Sequence, residues 1–489
     1  MQLPTITRCC DAAAFVIDRL RHHLSALTIA VSIATTGDVL AQGTALTAAT
    51  TTTAKPSLHG AQAPAAAPTF HRDIAPLLQR HCEKCHRDEG AGPFALVDYA
   101  EVAGVAAMVG EVVAQRRMPP WHADRTVGRF ANDPSLPEAA LATIAAWIAA
   151  GAPEGDRRTA PPPLAWPSSW SLATPPDLVL TTPNFTVPAE GTLPYQYVRL
   201  ATGLSEHRFV RAAEVRSVHP EVVHHSLVFQ SEGRGAREAR PAAKEAAIER
   251  PWRPGFNQLE LMQGAKPHEI PQWNARFMEM IRRDLRYGEA GGLNGYFLSG
   301  LAGGGAVEFE PDEGKFLAAG SDLIVQLHYQ PIGKVTESST SIALWFADGP
   351  RARALDTRGV ATVVFAIPPG AGDHAIHAEY RLPVAATLRS LQPHLHLRGR
   401  SFTYLARYPD GREETLLHVP AYDFNWQHEY VLAERKKLPE GTVLRVTAHF
   451  DNSAANPANP DPSQTVYFGL QTHEEMLIGS FEVTWHPGE

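Results

Sequence analysis

From residue 177 onward the chain is a succession of short alternating apolar runs, among them LVLTTPNFTV, SLVFQ, DLIVQLHYQ, FTYLARY, VLRVTAHF and SFEVTW. Glycine, proline, asparagine and aspartate separate them. A period of two buries one face of a strand, and that punctuation ends each strand in a turn. The rhythm predicts antiparallel β-sandwiches. Residues 177–489 are too many for one sandwich, so a break near Gly349-Pro350 is expected to give two, 177–350 and 351–489. An insertion, 232–305, interrupts the first. Within it the segment 272–287 places Trp273, Phe277, Ile281 and Leu285 on one helical face.

The N-terminal part has another texture. Arg8, Arg19 and Arg21 precede an apolar run over 24–34, and Val39-Leu40-Ala41 supplies the small residues read by a signal peptidase. This predicts a signal peptide, 1–41, and a periplasmic or secreted mature protein. A buried helix or membrane anchor is the alternative, although the run falls short of the ~20 residues that span a bilayer. Cleavage would remove Cys9 and Cys10 and leave Cys82 and Cys85 alone, so no disulfide framework is expected. Residues 42–68 are Ala, Thr and Pro and read as a disordered tether. The net charge of −8 argues against nucleic-acid binding.

Residues 69–156 read as a small all-α domain. Phe70, Ile74, Leu77 and Leu78 share one helical face, and a second helix over 137–150 carries Leu141, Ile144, Ala145 and Ile148 and stops at Gly151. Between them lies RHCEKCHRD. A redox dithiol would open a helix after a strand, and a structural zinc site needs four ligands that the chain cannot complete with cysteine. C-x-x-C-H is instead the signature of covalent haem attachment, expected by chance roughly 0.002 times at this composition. Cys82 and Cys85 would form the thioethers of one haem c and His86 the proximal iron bond. Met118 in RRMPPWHAD is the expected sixth ligand, since a thioether raises the iron's potential and Pro119-Pro120 stops any helix there. Met108 is the rival, and core packing the ordinary fate of either. The order D-I-x-P-L-L, C-x-x-C-H, R-M-P-P-W and W-I-x-x-G-A-P resembles small cytochrome c domains fused to bacterial redox enzymes. Residues 157–176, rich in proline, read as a semi-stiff linker.

Histidine pairs recur in the β region, but with 22 histidines one adjacent pair and one H-x-H are each expected by chance. Context raises them. His394 and His396 in QPHLHLRG point to one face of a strand and could chelate one metal. His328 in LIVQLHYQ shares a face with Ile324 and Gln326. His224 and His225 in VVHHSLVF would face opposite ways in a regular strand, so joint binding requires a strand end or a bulge.

Taken together these residues resemble the ascorbate-dependent type II copper monooxygenases, which include the peptidylglycine α-hydroxylating enzyme and dopamine β-monooxygenase. That family orders its ligands as H-H, then H in Q-x-H-Y, then H-x-H, then Met in an E-M setting. Here stand His224-His225, His328 in QLHYQ, His394-His396 and Met476 in THEEML. The resemblance spans 177–489 and implies two jelly-roll domains and two copper ions. His224, His225 and His328 would hold the electron-supplying ion, and His394, His396 and Met476 the ion that meets dioxygen. Three imidazoles suit a cycling copper, and a thioether favours Cu(I). His473 and His219 are possible alternates.

The likeness has gaps. The carboxylate clamp of the peptide-amidating enzyme is replaced by Gln392, Ile478 and Ser480, so a neutral or apolar small-molecule substrate is expected. The expected protein is an exported copper-dependent monooxygenase hydroxylating a C–H bond with O2, with no membrane span in the mature chain. Electrons would come from an external donor through the fused haem to the three-histidine copper and then to the second. The alternatives are an electron-transfer or copper-binding protein without oxygenase activity, and a dehydrogenase that passes electrons to the haem. No hydrolase or nucleotide-binding motif appears in its required context.

Overall fold

The computed structural model describes residues 67–88, 90–166, 170–231, 250–254, 261–263, 265–284, 295–301, 305–351 and 353–488. The expected signal peptide, nearly all of the expected tether and much of the 232–305 insertion, Leu285 included, lie outside the described residues. The fold is mostly β, in several sheets. Among the described residues no helix is long and apolar enough to cross a membrane.

The helical part packs a π-turn, Phe70–Ile74, against helices Ala75–His81, Tyr99–Gly104, Ala106–Ala114 and Glu138–Ala149. Phe70, Ile74, Leu78, Val102, Val109, Val113, Ile144 and Trp147 form its core. In the last helix the buried line runs Ala140, Ile144, Trp147, and Ala145 faces solvent. The expected face is therefore rotated. Trp147 draws it round, because it buries the largest side chain in the unit and its indole N–H still reaches the Pro153 carbonyl at 3.0 Å. Gly151, at φ +83°, ends the helix in the left-handed region.

One long sheet organises the β part. Its strands run in the order Leu178–Thr181, Thr340–Phe346, Arg208–Ser217, Glu313–Leu317, Arg353–Ala361, Ile478–His486, Ala385–His394, Tyr430–Leu438. The sheet continues straight across Gly349-Pro350. The joint is a three-residue parallel pairing, Arg353–Leu355 with Glu313–Lys315. Two four-stranded sheets cover its halves. Gln196–Ala201, Asp322–Tyr329, Val223–Ser231 and Leu298–Leu301 enclose a core with Val210, Ile342 and Leu344. His374–Arg381, Val443–Phe450, Gly399–Arg407 and Glu413–Val419 enclose the larger core with Leu388, Leu391, Phe481 and Val483.

A buried ionic cluster fastens the joint. Glu482 meets the Lys315 ammonium at 2.5 Å and the Arg389 guanidinium at 2.6 Å, and Arg389 reaches Glu429 at 2.8 Å. Burial pushes the Glu482 carboxyl up, but the two cations outweigh it and hold it well below the usual range. Removing one member leaves buried charge uncompensated. Glu482→Gln is expected to lower the unfolding free energy by about 3 kcal/mol in urea titration. A loss under about 1 kcal/mol would mean the cluster contributes no more than a surface pair.

The 157–176 linker does not hang free. Arg87 stacks over Trp166 at 4.6 Å, Trp170 meets Trp345 edge-on at 6.4 Å, and Ser171 N–H donates to the buried Glu214 carboxylate at 2.8 Å. Two tryptophans anchor what the prolines merely stiffen. Within the insertion, helix Ile270–Asp284 buries Phe277 and half-buries Trp273 against the larger core.

Candidate metal centre

His224, His225 and His328 lie on neighbouring antiparallel strands. His225 pairs with His328 across the ladder, and the register shifts between Val223 and His225. His224 is the extra residue of that bulge. The displaced backbone turns both adjacent imidazoles to one side, their Nδ1 atoms 3.1 Å apart. Ring centroids stand 5.3 Å apart for His224 and His225, 4.9 Å for His224 and His328, and 5.1 Å for His225 and His328. One nitrogen from each falls within 4.8 Å of the others, so the triad could hold a metal ion.

His394 and His396 sit beside them. His394 ends its strand paired with Ile478, which puts His396 two residues beyond and Met476 two residues before at the same end of the ladder. Their rings are perpendicular at 5.2 Å. Gln427 Oε1 accepts from His394 Nδ1 at 2.6 Å, and the Glu474 carbonyl accepts from His396 Nδ1 at 3.2 Å. Each bond fixes a tautomer that presents Nε2 to the interior. Glu475 braces the end of the ladder. Its fully buried carboxylate accepts the backbone N–H groups of His396, Arg398 and Met476.

The two sets form one chamber. His225 and His394 ring centroids are 6.3 Å apart. The Nε2 atoms of His224, His225 and His396 and Nδ1 of His328 are buried without a partner. Buried imidazole nitrogens normally find one, and these four could each bond to a bound ion. Burial, reinforced by the neighbouring rings, lowers His224 to about 4 and His328 to about 3, and puts His225 and His396 well below the ordinary range. Neutral imidazoles are the ligand form.

The sequence did not single out the residues that orient these rings. Phe424 stacks on His224 at 4.7 Å, and Tyr195 stands edge-on to His328 at 4.8 Å. Gln427 and Glu475 complete the support. None has a spacing signature. Of the alternates, His219 is half-exposed and paired with Glu221 at 3.0 Å, and His473 is exposed. A small cavity opens between His225 and His394, lined also by Tyr296, Gln392, Ile478 and Ser480. The three positions where a carboxylate clamp would stand thus share one uncharged wall, where the Tyr296 hydroxyl donates to Gln392 Oε1.

In the helical part, the turn after Ala75–His81 gathers CEKCH. The N–H groups of Cys85 and His86 both donate to the Cys82 carbonyl, at 3.1 and 2.9 Å. His86 Nδ1 donates to the Phe94 carbonyl at 3.1 Å, leaving Nε2 for a metal. Gly92 permits this closeness, since a Cβ there would lie 2.8 Å from the imidazole. Both cysteines are unpaired. Burial pushes the Cys82 thiol up to about 12 and Cys85 upward, the reverse of a reactive dithiol. Met118 is half-buried on the loop after Ala106–Ala114, its N–H donating to Val112 at 3.2 Å, whereas Met108 is exposed on that helix.

No family model matches the chain, and no curated protein matches it. Among solved structures it overlaps capsids of infectious bursal disease virus. The Gx strain structure is 11% identical, over 64% of this chain and 71% of that chain, with a TM-score of 0.18. The VP2 subviral particle is 11% identical, over 64% and 72%, with a TM-score of 0.17. Overlaps this loose carry no functional reading.

Proposed function

We propose that this protein is a copper-dependent monooxygenase that hydroxylates a C–H bond of a small uncharged molecule, fed by a haem c in its helical domain. The observation that carries this reading is the convergence of His224, His225, His328, His394 and His396 on one chamber, with Met476 braced beside it and an uncharged cavity between the sets. Copper fits the donors: neutral imidazoles with orphaned nitrogens for one ion, and two imidazoles and a thioether for the other. Bound there, copper supplies the one-electron steps and dioxygen activation that hydroxylation requires. The protein's part is orientation. Gln427 and the Glu474 carbonyl hold His394 and His396 with Nε2 inward, Phe424 and Tyr195 fix the triad, and Gln392, Ser480 and Ile478 admit a neutral substrate and offer a carboxylate no cation.

Haem c fits the CEKCH turn. His86 is held by its Nδ1 with Nε2 free, and two unpaired thiols flank it. Met118 is the proposed sixth ligand and the electron donor is external. The long sheet with its two cover sheets is read as two jelly-roll domains, and export follows from the leader.

The test is to load the protein with haem and copper, reduce it, admit oxygen, and follow haem reoxidation beside Met476→Ala. Fast reoxidation is expected in the unaltered protein, and a slowing of roughly 100-fold in the variant. Equal rates would remove the oxygenase and leave an electron-transfer or copper-storage protein.

A further inference from the structure

The loop that carries Met118 runs on into the β part and is locked there. Ala131 N–H donates to the Val431 carbonyl and Ala433 N–H to the Arg129 carbonyl, both at 2.8 Å. Asn132 grips the Glu429 carbonyl at 2.7 Å and the Val431 N–H at 3.0 Å, and Asp124 N–H reaches the His418 carbonyl at 2.7 Å. Residues 129–132 therefore extend the edge of strand Tyr430–Leu438. Just before them, Trp121 packs on Tyr430 at 4.7 Å and on His428 at 5.8 Å, and His122 lies 6.4 Å from His428 at an interplanar angle of 30°. Trp426 stacks on the same imidazole at 6.0 Å and 9°.

This contact holds more polarity than adhesion needs. His122 Nδ1 and His428 Nε2 are both buried without a partner. An interface selected only to adhere would pair such atoms or replace them, since each orphan costs about 1–3 kcal/mol. The aromatic patch also leads somewhere. Gln427, the next residue, joins His394 Nδ1 through a 2.6 Å hydrogen bond. The same segment also reaches the chamber through Phe424, which lies on His224 at 4.7 Å and meets His328 at 6.0 Å and His396 at 6.2 Å, and through the Asn425 side chain, which is hydrogen-bonded to His224.

We infer that Trp121, His122, His428 and Gln427 form the electron port of the metal chamber, and that electrons enter at the His394 and His396 position rather than at the triad. The inference rests on the reading of residues 69–156 as a haem c domain. From Met118 the route is four residues of chain to His122, ring contact to His428, one peptide unit and one hydrogen bond. Each passage moves one electron. Ferrous haem becomes ferric, one cupric ion becomes cuprous, and an external one-electron donor restores the haem. Burial lowers His428 to about 4 and lowers His122 as well, so both imidazoles are neutral. The order differs from the one the resemblance implies, in which the triad is filled first.

The experiment uses the full chain loaded with haem and copper, without oxygen. A flash photoreductant reduces the haem, and its reoxidation by copper is followed at the haem absorption band. Gln427→Leu, which removes both the acceptor for His394 Nδ1 and the amide donor to the Phe424 carbonyl, is expected to slow the transfer about tenfold or more, as is His428→Leu, while Gln427→Glu, which keeps only the acceptor, restores most of the rate. His219→Ala, at a half-exposed ring engaged with Glu221, is the control and is expected to change it less than about twofold. Copper content and haem potential, measured in each variant, separate a broken route from a damaged site. An unchanged rate in Gln427→Leu, with copper content intact, would overturn the port. Transfer unchanged in every variant would overturn the port as well. Absence of any transfer in the unaltered protein would sink the haem-to-copper reading itself.

Discussion

His225→Ala is expected to reduce bound copper from two ions per chain to one or fewer. Within the triad, His225 is the ring in contact with the other pair, 5.1 Å from His328, 5.3 Å from His224 and 6.3 Å from His394. Its replacement leaves two ligands at the triad and opens the wall that separates the triad from His394. Loss of orienting partners alone costs about 10- to 100-fold in metal affinity, so loss of the ligand should exceed about 100-fold. Elemental analysis after equilibrium dialysis measures it. His219→Ala is the control, since that ring is half-exposed and engaged with Glu221. Two tightly held ions in His225→Ala would show that the triad is not a site.

Glu475→Ala should give the largest loss of stability. The carboxylate is fully buried and accepts three backbone N–H groups, from Arg398 at 2.7 Å, His396 at 2.9 Å and Met476 at 3.3 Å. Each donor left bare costs about 1–3 kcal/mol, so about 4 kcal/mol or more is expected from chemical denaturation of the metal-free protein. Arg398, itself buried, would also lose the larger of its two carboxylate attractions, Asp461 supplying the other, and keep the Asn452 side-chain and His473 main-chain oxygens as acceptors. Glu475→Gln retains one acceptor oxygen and should lose about half as much. An unfolding free energy within about 1 kcal/mol of the unaltered protein would refute the brace.

The histidine positions were legible because their spacing constrains their geometry. Two adjacent histidines cannot share a face unless the strand bulges, which it does at His224, whereas the expected shared strand face of His394 and His396 is not kept, since the strand ends at His394 and His396 lies beyond it. The buried face of the first helix, Phe70, Ile74 and Leu78, was legible for the same reason of period. What escaped depends on contacts between distant segments. Gln427 and Phe424 lie in an irregular stretch and acquire meaning only when the larger sandwich closes over His394 and the triad. The parallel joint Arg353–Leu355 with Glu313–Lys315 is equally silent, since Gly349-Pro350 reads as an end whether or not the sheet resumes beyond it.

The strand-like segment 129–132 has a consequence for solubility. Tyr430–Leu438 is the last strand of the long sheet, and an uncovered last strand offers a row of bare amides and carbonyls to any similar chain. The helical unit closes part of that row with its own backbone at Val431 and Ala433. Separated from it, the β part would carry a sticky margin prone to edge-to-edge aggregation, so the fusion acts as a guard rail for the sheet.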